Sequence, residues 1–278
     1  MKEDNFKEKI LTNPLVSILI PTKNSDYVLG KCLKSIKEQS YKQIEIFVVD
    51  NNSTDDTVKI AEKFSTKISV STQERTGAKN FALNHCNGKY ALFIDSDMEL
   101  SKNVVENCVL LAEKNEKIGG IIIPEITVGE GYWIRVRAFE RKISLNSDLE
   151  SARFFNVKLA QGVGGFDEDV IFYEESTLPQ KLELDGYNVK LRIDDVIFHH
   201  EKKLNLNKWV KKKRYYGKSL QEYLPKYKSY GGKQISIRYR MHIFRTNGGW
   251  DLIKKIHLTT GIFILKSLEY IAIKFFNK

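Results

Sequence analysis

Continuous apolar runs alternate with amphipathic stretches through the first half of the chain. VSILI (16–20), IEIFVV (44–49) and YALFI (90–94) carry β-branched and aromatic residues with no polar alternation, the pattern of strands covered on both faces. Between the first two, YVLGKCLKSIKEQS sets Val28, Leu29, Cys32, Leu33 and Ile36 at helical spacing. After the second, DNNSTDDT offers Ser53 or Thr54 as the cap of a helix carrying Val58, Ala61 and Phe64. KISVST (67–72) and a helix with Ala78, Phe81 and Ala82 complete the series before YALFI. The order β-α-β-α-β-α-β predicts an α/β fold on a largely parallel sheet. Past GGIIIP (119–124) the alternation weakens. Residues 127–165, with GEGYWIRVRAFER and QGVGGFDED, are glycine-rich and aromatic and read as site-forming segments more than scaffold, and KLELDGYNVKLRIDDVIFHHE returns to helix, turn and strand.

Beyond Glu201 the composition shifts. Residues 202–278 hold 19 Lys and Arg against three acids, a balance of +16, which leaves −6 on the first 201 residues. The expected organisation is therefore a domain over 1–201 and a basic, aromatic, largely helical extension over 202–278. A mildly acidic body with a basic tail points to an anionic partner surface, membrane or nucleic acid. The last segment, WDLIKKIHLTTGIFILKSLEYIAIKFFNK, is apolar, but its longest uncharged run is 256–265, shorter than a bilayer span needs. On a helix, Ile253, Ile264, Leu268, Ile271 and Phe275 share one face, with Lys255, Lys266 and Glu269 opposite, so an amphipathic helix lying in a membrane interface is the expectation. The charged opening MKEDNFKEKILTNP has no apolar core of a cleaved signal. Cys32, Cys86 and Cys108 are odd in number and show no CxxC spacing, as free thiols in a reducing compartment do. Together these features predict a cytoplasmic protein, peripheral on the cytoplasmic membrane face.

The chemistry gathers at strand ends. In open α/β sheets, ligands bind beyond the carboxyl ends of the strands. Asp50 ends the second strand, and Asp95 and Asp97 end the fourth in YALFIDSDMEL, so all three belong to one cleft. Two carboxylates one residue apart repel, and a hard cation such as Mg²⁺ or Mn²⁺ offsets that repulsion while keeping open positions for phosphate oxygens. Helix capping is the structural alternative.

VSILIPTKN, VVDNNSTDDT, ERTGAKNFALNHCNGKYALFIDSD, GGFDED and YEESTLPQKLELDGYNV occur in the order found in inverting family 2 glycosyltransferases, and over about residues 15–200 the chain resembles that family. The resemblance implies a GT-A fold, with a Rossmann-like, mostly parallel central sheet. It implies that Pro21 and Thr22 line the nucleotide pocket, that Asp50 meets the base, and that Asp95, Ser96 and Asp97 face the ribose, the diphosphate and a Mn²⁺ or Mg²⁺ ion. Arg75 and Lys79, flanking Gly77, would add positive charge or fix the loop, with a solvated helix face as the alternative. Glu175 occupies the position of the family's catalytic base, with Glu174 as its neighbour. It is one methylene longer than the aspartate usual there, and Thr177 stands where a second acid is common. His199 would be a late ligand to the cation, with His200 the other choice. Trp133, Arg135 and Arg141 would contact the acceptor, unless they belong to an ordinary amphipathic helix.

The expected function is metal-dependent transfer of a sugar from a UDP- or GDP-sugar to an acceptor hydroxyl on a lipid-linked or glycan precursor, with the basic extension drawn to an anionic membrane surface. A nucleotidyltransferase on a related fold is the alternative enzyme, and no glycine-rich phosphate loop follows VSILIPTKN to favour it. An inactive scaffold of the same fold is a further alternative. A nucleic-acid-binding module would explain KKKRYYGK but leave the ordered acidic motifs without a role.

Overall fold

The computed structural model describes residues 13–64, 67–171, 173–217 and 220–275. The charged opening segment up to residue 12, and the Phe275 side chain assigned above to the apolar helical face, lie outside the described residues. In chain order the elements are β1 (Val16–Thr22), α1 (Asp26–Lys37), β2 (Ile44–Asp50), α2 (Thr57–Glu62), β3 (Lys67–Val70), α3 (Arg75–His85), β4 (Tyr90–Phe93), β5 (Met98–Leu100), α4 (Val104–Ala112) and β6 (Gly120–Ile122). There follow β7 (Glu125–Val128), α5 (Tyr132–Ser144), β8 (Ala152–Asn156), α6 (Val157–Gly162), α7 (Glu174–Leu184), β9 (Leu191–Arg192) and β10 (Ile197–His200). The C-terminal part is helical: α8 (Leu206–Gly217), α9 (Leu220–Lys226), α10 (Lys228–Ile235), α11 (Ile237–Gly248), α12 (Asp251–Lys254) and α13 (Ile256–Phe275).

Two compact units result. One, the sheet unit, comprises the described chain up to Pro124 with Ala152–Phe166 and Lys181–Ile197; the other, the helical unit, comprises Glu125–Ser151, Asp167–Gln180 and the chain from Phe198 onward. The sheet unit is built on a seven-stranded sheet in the order β3-β2-β1-β4-β8-β6-β9. β1 pairs in parallel with β2 and β4, and β2 with β3, so the carboxyl ends of these strands share one edge. Ile18, Ile20, Val48 and Leu92 are buried in one cluster with Leu29, Cys32, Leu33 and Ile36 of α1, and the alternate positions Leu19, Phe47, Val49 and Phe93 are buried as well, which explains why these strands show no polar alternation. Two expectations are corrected. Segment 152–156 is scaffold: β8 lies inside the sheet, antiparallel to both β4 and β6. Ser53 does not cap α2, because its backbone N–H and hydroxyl both donate to the Asp50 carboxylate; the helix starts at Thr57, whose N–H donates to Asp55 Oδ1 at 3.1 Å.

The double glycine of QGVGGFDED has a local cause. Gly164 and Gly165 adopt left-handed φ values of 77° and 66°, and a Cβ on Gly165 would collide with the Asn80 side-chain amide. That amide clamps the loop, accepting from Phe166 N at 2.8 Å and donating to Phe166 O at 2.9 Å.

In the helical unit, Val136, Phe139 and Ile143 of α5 pack on Ile243 and Phe244 of α11 and on Leu258, Ile262 and Leu265 of α13. α13 is an unbroken helix of 20 residues. Its span Ile256–Ile273 is long and apolar enough, by length and composition, to cross a membrane, although no ten-residue limit of uncharged sequence would suggest it. The helix is turned so that its charges face the unit. Lys266 Nζ lies 2.7 Å from Glu140 and 2.9 Å from Glu269, and Lys213 Nζ lies 2.7 Å from Glu269. Ile264 and Ile271 are 43% and 45% exposed on the other side. Burial alone would raise the Glu269 pKa, but Lys266 and Lys213 reverse this and hold it well below the usual carboxylate range; Glu140 is likewise lowered by Lys266 against its burial.

Lys266 is the cation that contacts both carboxylates, so Lys266→Met removes two charge-assisted contacts and is expected to lower the unfolding free energy by about 1–3 kcal/mol, read by urea titration. Because both carboxylates titrate lower folded than unfolded, the stability they contribute is present above the ordinary carboxylate pKa and is lost as pH falls below it. Acidification from pH 6 should destabilise the parent more steeply than Glu269→Gln.

Candidate active site

The carboxyl edge of the sheet unit gathers the strand-end residues singled out in the sequence. Thr22 and Asp50 are direct partners in the β1–β2 register, and Asp95 follows β4, the neighbour of β1 on its other side. Asp50 is 1% exposed and holds the following turn through Ser53. Beside it, Thr22 Oγ1 is buried with no hydrogen-bond partner among the described residues. A buried hydroxyl left unsatisfied costs about 1–3 kcal/mol, so such an atom at a strand end suits a partner supplied by a ligand or a bound water. Pro21 is buried within β1, a strand that runs through the proline instead of stopping before it.

Asp95, Ser96 and Asp97 are half-buried. Arg75, at the first turn of α3, places Nη2 at 2.8 and 2.7 Å from the two carboxylate oxygens of Asp95. Ser96 Oγ donates to Ser25 Oγ at 3.0 Å. Arg75 therefore neutralises the inner carboxylate of the pair, a partner for the Asp95 charge that the strand pattern did not reveal. For Lys79 the alternative of a solvated helix face is corrected: the residue is 2% exposed, with its ammonium 5.3 Å from the Phe166 ring centroid.

The family resemblance implies a divalent cation here. Asp97 supplies the hard oxygen donors such an ion prefers, and Asp95 would share or release Arg75 to join it. Among the described residues no three His, Cys, Asp or Glu form a complete cage, so further positions would have to be filled by substrate oxygens or water. The free thiols stay outside this chemistry: Cys32 and Cys108 are buried, and burial pushes both thiols up.

The helical unit carries the second set. Glu174 and Glu175 open α7, with Glu174 buried and Glu175 half-buried. Carboxylates in a first turn are favoured by the helix dipole. Tyr173, just before them, is held at a left-handed φ of 67°. Thr177 has a structural task at the position where an acid is common: its hydroxyl donates to Glu174 O at 2.7 Å and accepts from Asp167 N at 3.1 Å, tying the turn to the DED loop. Pro179, inside α7, has no N–H to donate along the helix.

Beneath this turn runs a buried chain of polar groups. Gln180 Nε2 donates to Tyr223 Oη at 2.7 Å, Tyr223 Oη donates to Gln234 Oε1 at 2.7 Å, and Gln234 Nε2 donates to Ser176 Oγ at 2.8 Å. Sequence reasoning missed these residues, because they contact the site only through a fold that joins α7 to α9 and α10. Tyr223→Phe removes one hydroxyl and strands two amides, so it should cost about 1–3 kcal/mol in a denaturation experiment.

His199 belongs to the same unit. Its Nδ1 lies 3.3 Å from Glu125 Oε2, and Arg141 Nη1 lies 3.1 Å from that ring nitrogen and 3.3 Å from the same carboxylate. Glu125 and Arg141 thus both hold the Nδ1 side of the His199 ring. His200 is half-buried on the same strand. Trp133 and Arg135 lie on α5, half-buried and exposed respectively, together with Arg141.

Residues 17–166 match the model of glycosyl transferase family 2, and the chain belongs to that family. The mannosyltransferase PcManGT of Pyrobaculum calidifontis, solved with GDP-Man and Mn2+, superposes with a TM-score of 0.67 over 99% of this chain and 92% of its own, at 17% identity, and the fold is GT-A. Glycosyltransferase GlyA of Streptococcus pneumoniae is 38% identical over 103 residues, 35% of this chain and 15% of that protein. The Escherichia coli protein WfgD, a UDP-Glc:alpha-D-GlcNAc-diphosphoundecaprenol beta-1,3-glucosyltransferase, is 32% identical over 106 residues, 36% of this chain and 42% of its own length. The chain thus matches less than half the length of these two curated relatives.

Proposed function

We propose that the protein is an inverting glycosyltransferase that moves a sugar from a UDP- or GDP-sugar to a hydroxyl of a lipid-linked or glycan acceptor. The buried, unpartnered Thr22 hydroxyl beside Asp50, on the edge that also carries Asp95 and Asp97, is the observation that carries the reading. A nucleoside is the ligand such an edge suits. Thr22 and Asp50 bind and orient the nucleoside, and Asp97, with Asp95, would hold a divalent cation. The bound Mn²⁺ or Mg²⁺ supplies Lewis-acid stabilisation of the charge on the departing diphosphate. Arg75 keeps the two carboxylates compatible before the donor arrives. Glu175 takes the proton of the acceptor hydroxyl as its oxygen attacks the anomeric carbon, which inverts that centre in one displacement. Glu174 and Thr177 fix the turn that presents Glu175. His199 is the residue assigned as late ligand to the cation or the diphosphate, and Trp133, Arg135 and Arg141 are those assigned to the acceptor.

The donor is tested by screening UDP-, GDP- and dTDP-sugars with Mn²⁺. Release of a nucleoside diphosphate from at least one of them is expected, whereas release of pyrophosphate would make the protein a nucleotidyltransferase.

Ile256 at 62% and Ile264 at 43% exposure on α13, with Trp250 at 75% and Ile253 at 64% at the separate helix α12 and a segment charge of +16, support attachment to an anionic membrane. Retention on phosphatidylglycerol vesicles should exceed retention on phosphatidylcholine vesicles and fall with added salt, and should exceed retention on RNA at matched salt.

A further inference from the structure

The C-terminal extension reaches the turn that carries Glu174 and Glu175 and holds it on both sides. On the loop side Tyr227, at the junction of α9 and α10, donates its hydroxyl to Asp167 Oδ2 at 2.6 Å. Asp167 N in turn donates to Thr177 Oγ1, and the Thr177 hydroxyl donates to Glu174 O. On the helix side Tyr223 of α9 and Gln234 of α10 reach Ser176 through buried amides. Between the two, the Tyr173 ring lies 5.4 Å from that of Tyr223, which lies 5.2 Å from that of Tyr227.

We propose that Tyr227 is a positioning residue for the reaction: from the extension, it fixes the turn that presents the Glu175 carboxylate. The inference rests on the reading of Glu175 as the base.

Three observations carry it. First, the path from Tyr227 to the turn is short and dry. Tyr227 is 6% exposed and Thr177 is fully buried, so no solvent competes for the hydrogen bonds between them. A buried hydroxyl held in this way directs a neighbour, and side chains that do chemistry keep their geometry through such a supporting layer. Second, Tyr173 stands at a left-handed φ of 67° immediately before the acid pair. A non-glycine residue persists there only where its surroundings over-determine it, and such strain gathers at functional sites. The surroundings here are the Tyr223 ring and Arg240 Nη2, which donates to Tyr173 Oη at 3.4 Å. Third, Tyr227 is a donor and nothing else. Burial and the Asp167 carboxylate both push its hydroxyl up, so it keeps its proton while Glu175 exchanges one.

The test follows nucleoside diphosphate released from the donor that responds in the screen, with water as the acceptor. Tyr227→Phe keeps the ring and leaves Lys226 Nζ 3.8 Å from the Asp167 carboxylate, so the fold should survive; circular dichroism and urea titration verify this. Its kcat should fall by about 10–10²-fold, the scale of a misplacement of about 1 Å, with the donor KM within about twofold of the parent. In a Glu175→Gln background the same substitution should cost less than about twofold more, because the group it positions is gone. Equal losses in both backgrounds mark a merely structural hydroxyl and overturn the proposal. Tyr239→Phe removes another half-buried hydroxyl of the helical unit, one that accepts from Asp148 N at 3.1 Å, and should turn over like the parent. A loss there as large as in Tyr227→Phe also overturns the proposal. Hydrogen exchange gives a reading independent of turnover. The Asp167 and Ser176 amides, which donate to Thr177 Oγ1 and Tyr173 O, should exchange at least about tenfold faster in Tyr227→Phe. Parent-like exchange at both overturns the proposal whatever the rates. The base reading fails separately, through parent-like turnover in Glu175→Gln, and the transferase reading through absence of nucleoside diphosphate release from every donor. In either case the exchange experiment still decides whether Tyr227 holds the turn.

Discussion

Asp97→Asn is expected to lower nucleotide-sugar turnover by about 10²–10³-fold while leaving the folded state intact. The substitution keeps the side-chain shape and removes one unit of negative charge. What it takes away is the anionic donor for a hard cation, and an amide oxygen replaces a carboxylate poorly in that role. The half-buried position and the neighbouring Asp95–Arg75 pair argue that the fold survives. Asp95 is neutralised by Arg75 within the protein, so relief of repulsion between the two acids does not itself require a cation at Asp97. Two measurements separate the roles. The Mn²⁺ concentration for half-maximal turnover should rise in Asp97→Asn, and binding of the nucleoside alone, proposed to rest on Thr22 and Asp50, should change much less. Turnover equal to the parent at every Mn²⁺ concentration would sink the assignment. Asp95→Asn is a different experiment: it also frees the Arg75 guanidinium, so a loss there reports on loop order as well as on the cation.

How much of this could be read from the residues depends on whether the deciding contact is local. The strands 16–20, 44–49 and 90–94 are legible because a strand covered on both faces must be apolar throughout, and the acids Asp50 and Asp95 stand where the second and third of these runs stop. β8 is not legible: ARFFN (152–156) is five residues long, and its place between β4 and β6 is set by partners on each side. The helical unit is harder still. Its core joins α5 to α11 and α13 across more than a hundred positions, and local periodicity contains no record of that pairing. The same holds at the site. The pair Asp95/Asp97 is visible as a motif, but its partner Arg75 is not identifiable until α3 is placed. The orientation of α13 illustrates the point from the other side. Spacing alone correctly puts Lys266 and Glu269 opposite Ile264 and Ile271, yet only Glu140 and Lys213, from two other helices, reveal that the charged side faces inward.

Glu175→Gln carries the second large effect. A positioned general base contributes about 10²–10⁴-fold to rate, and glutamine keeps the length and hydrogen-bonding shape of the side chain while losing its basicity. Transfer to an acceptor should fall by that factor. Donor binding should remain near the parent value, because the groups proposed to hold the nucleotide belong to β1, β2 and the residues after β4. The neighbouring Thr177 and Ser176 contacts to the backbone and to Gln234 do not involve the substituted carboxylate, so the turn should persist, and unchanged denaturation midpoints would confirm this. Glu175→Asp distinguishes a base from a mere helix-start charge. Both keep the negative charge that favours the first turn of α7, but aspartate reaches one methylene less far. A base predicts a marked loss in Glu175→Asp with stability retained; a dipole role predicts near-parent transfer in Glu175→Asp and a loss of stability in Glu175→Gln. The acidic limb of the pH–rate profile gives an independent reading. If Glu175 must be ionised to accept the proton, that limb should be present in the parent and absent from the residual activity of Glu175→Gln. Parent-like transfer by Glu175→Gln would remove Glu175 from the chemistry and leave the base to be sought elsewhere, with Glu174 as the first residue to test.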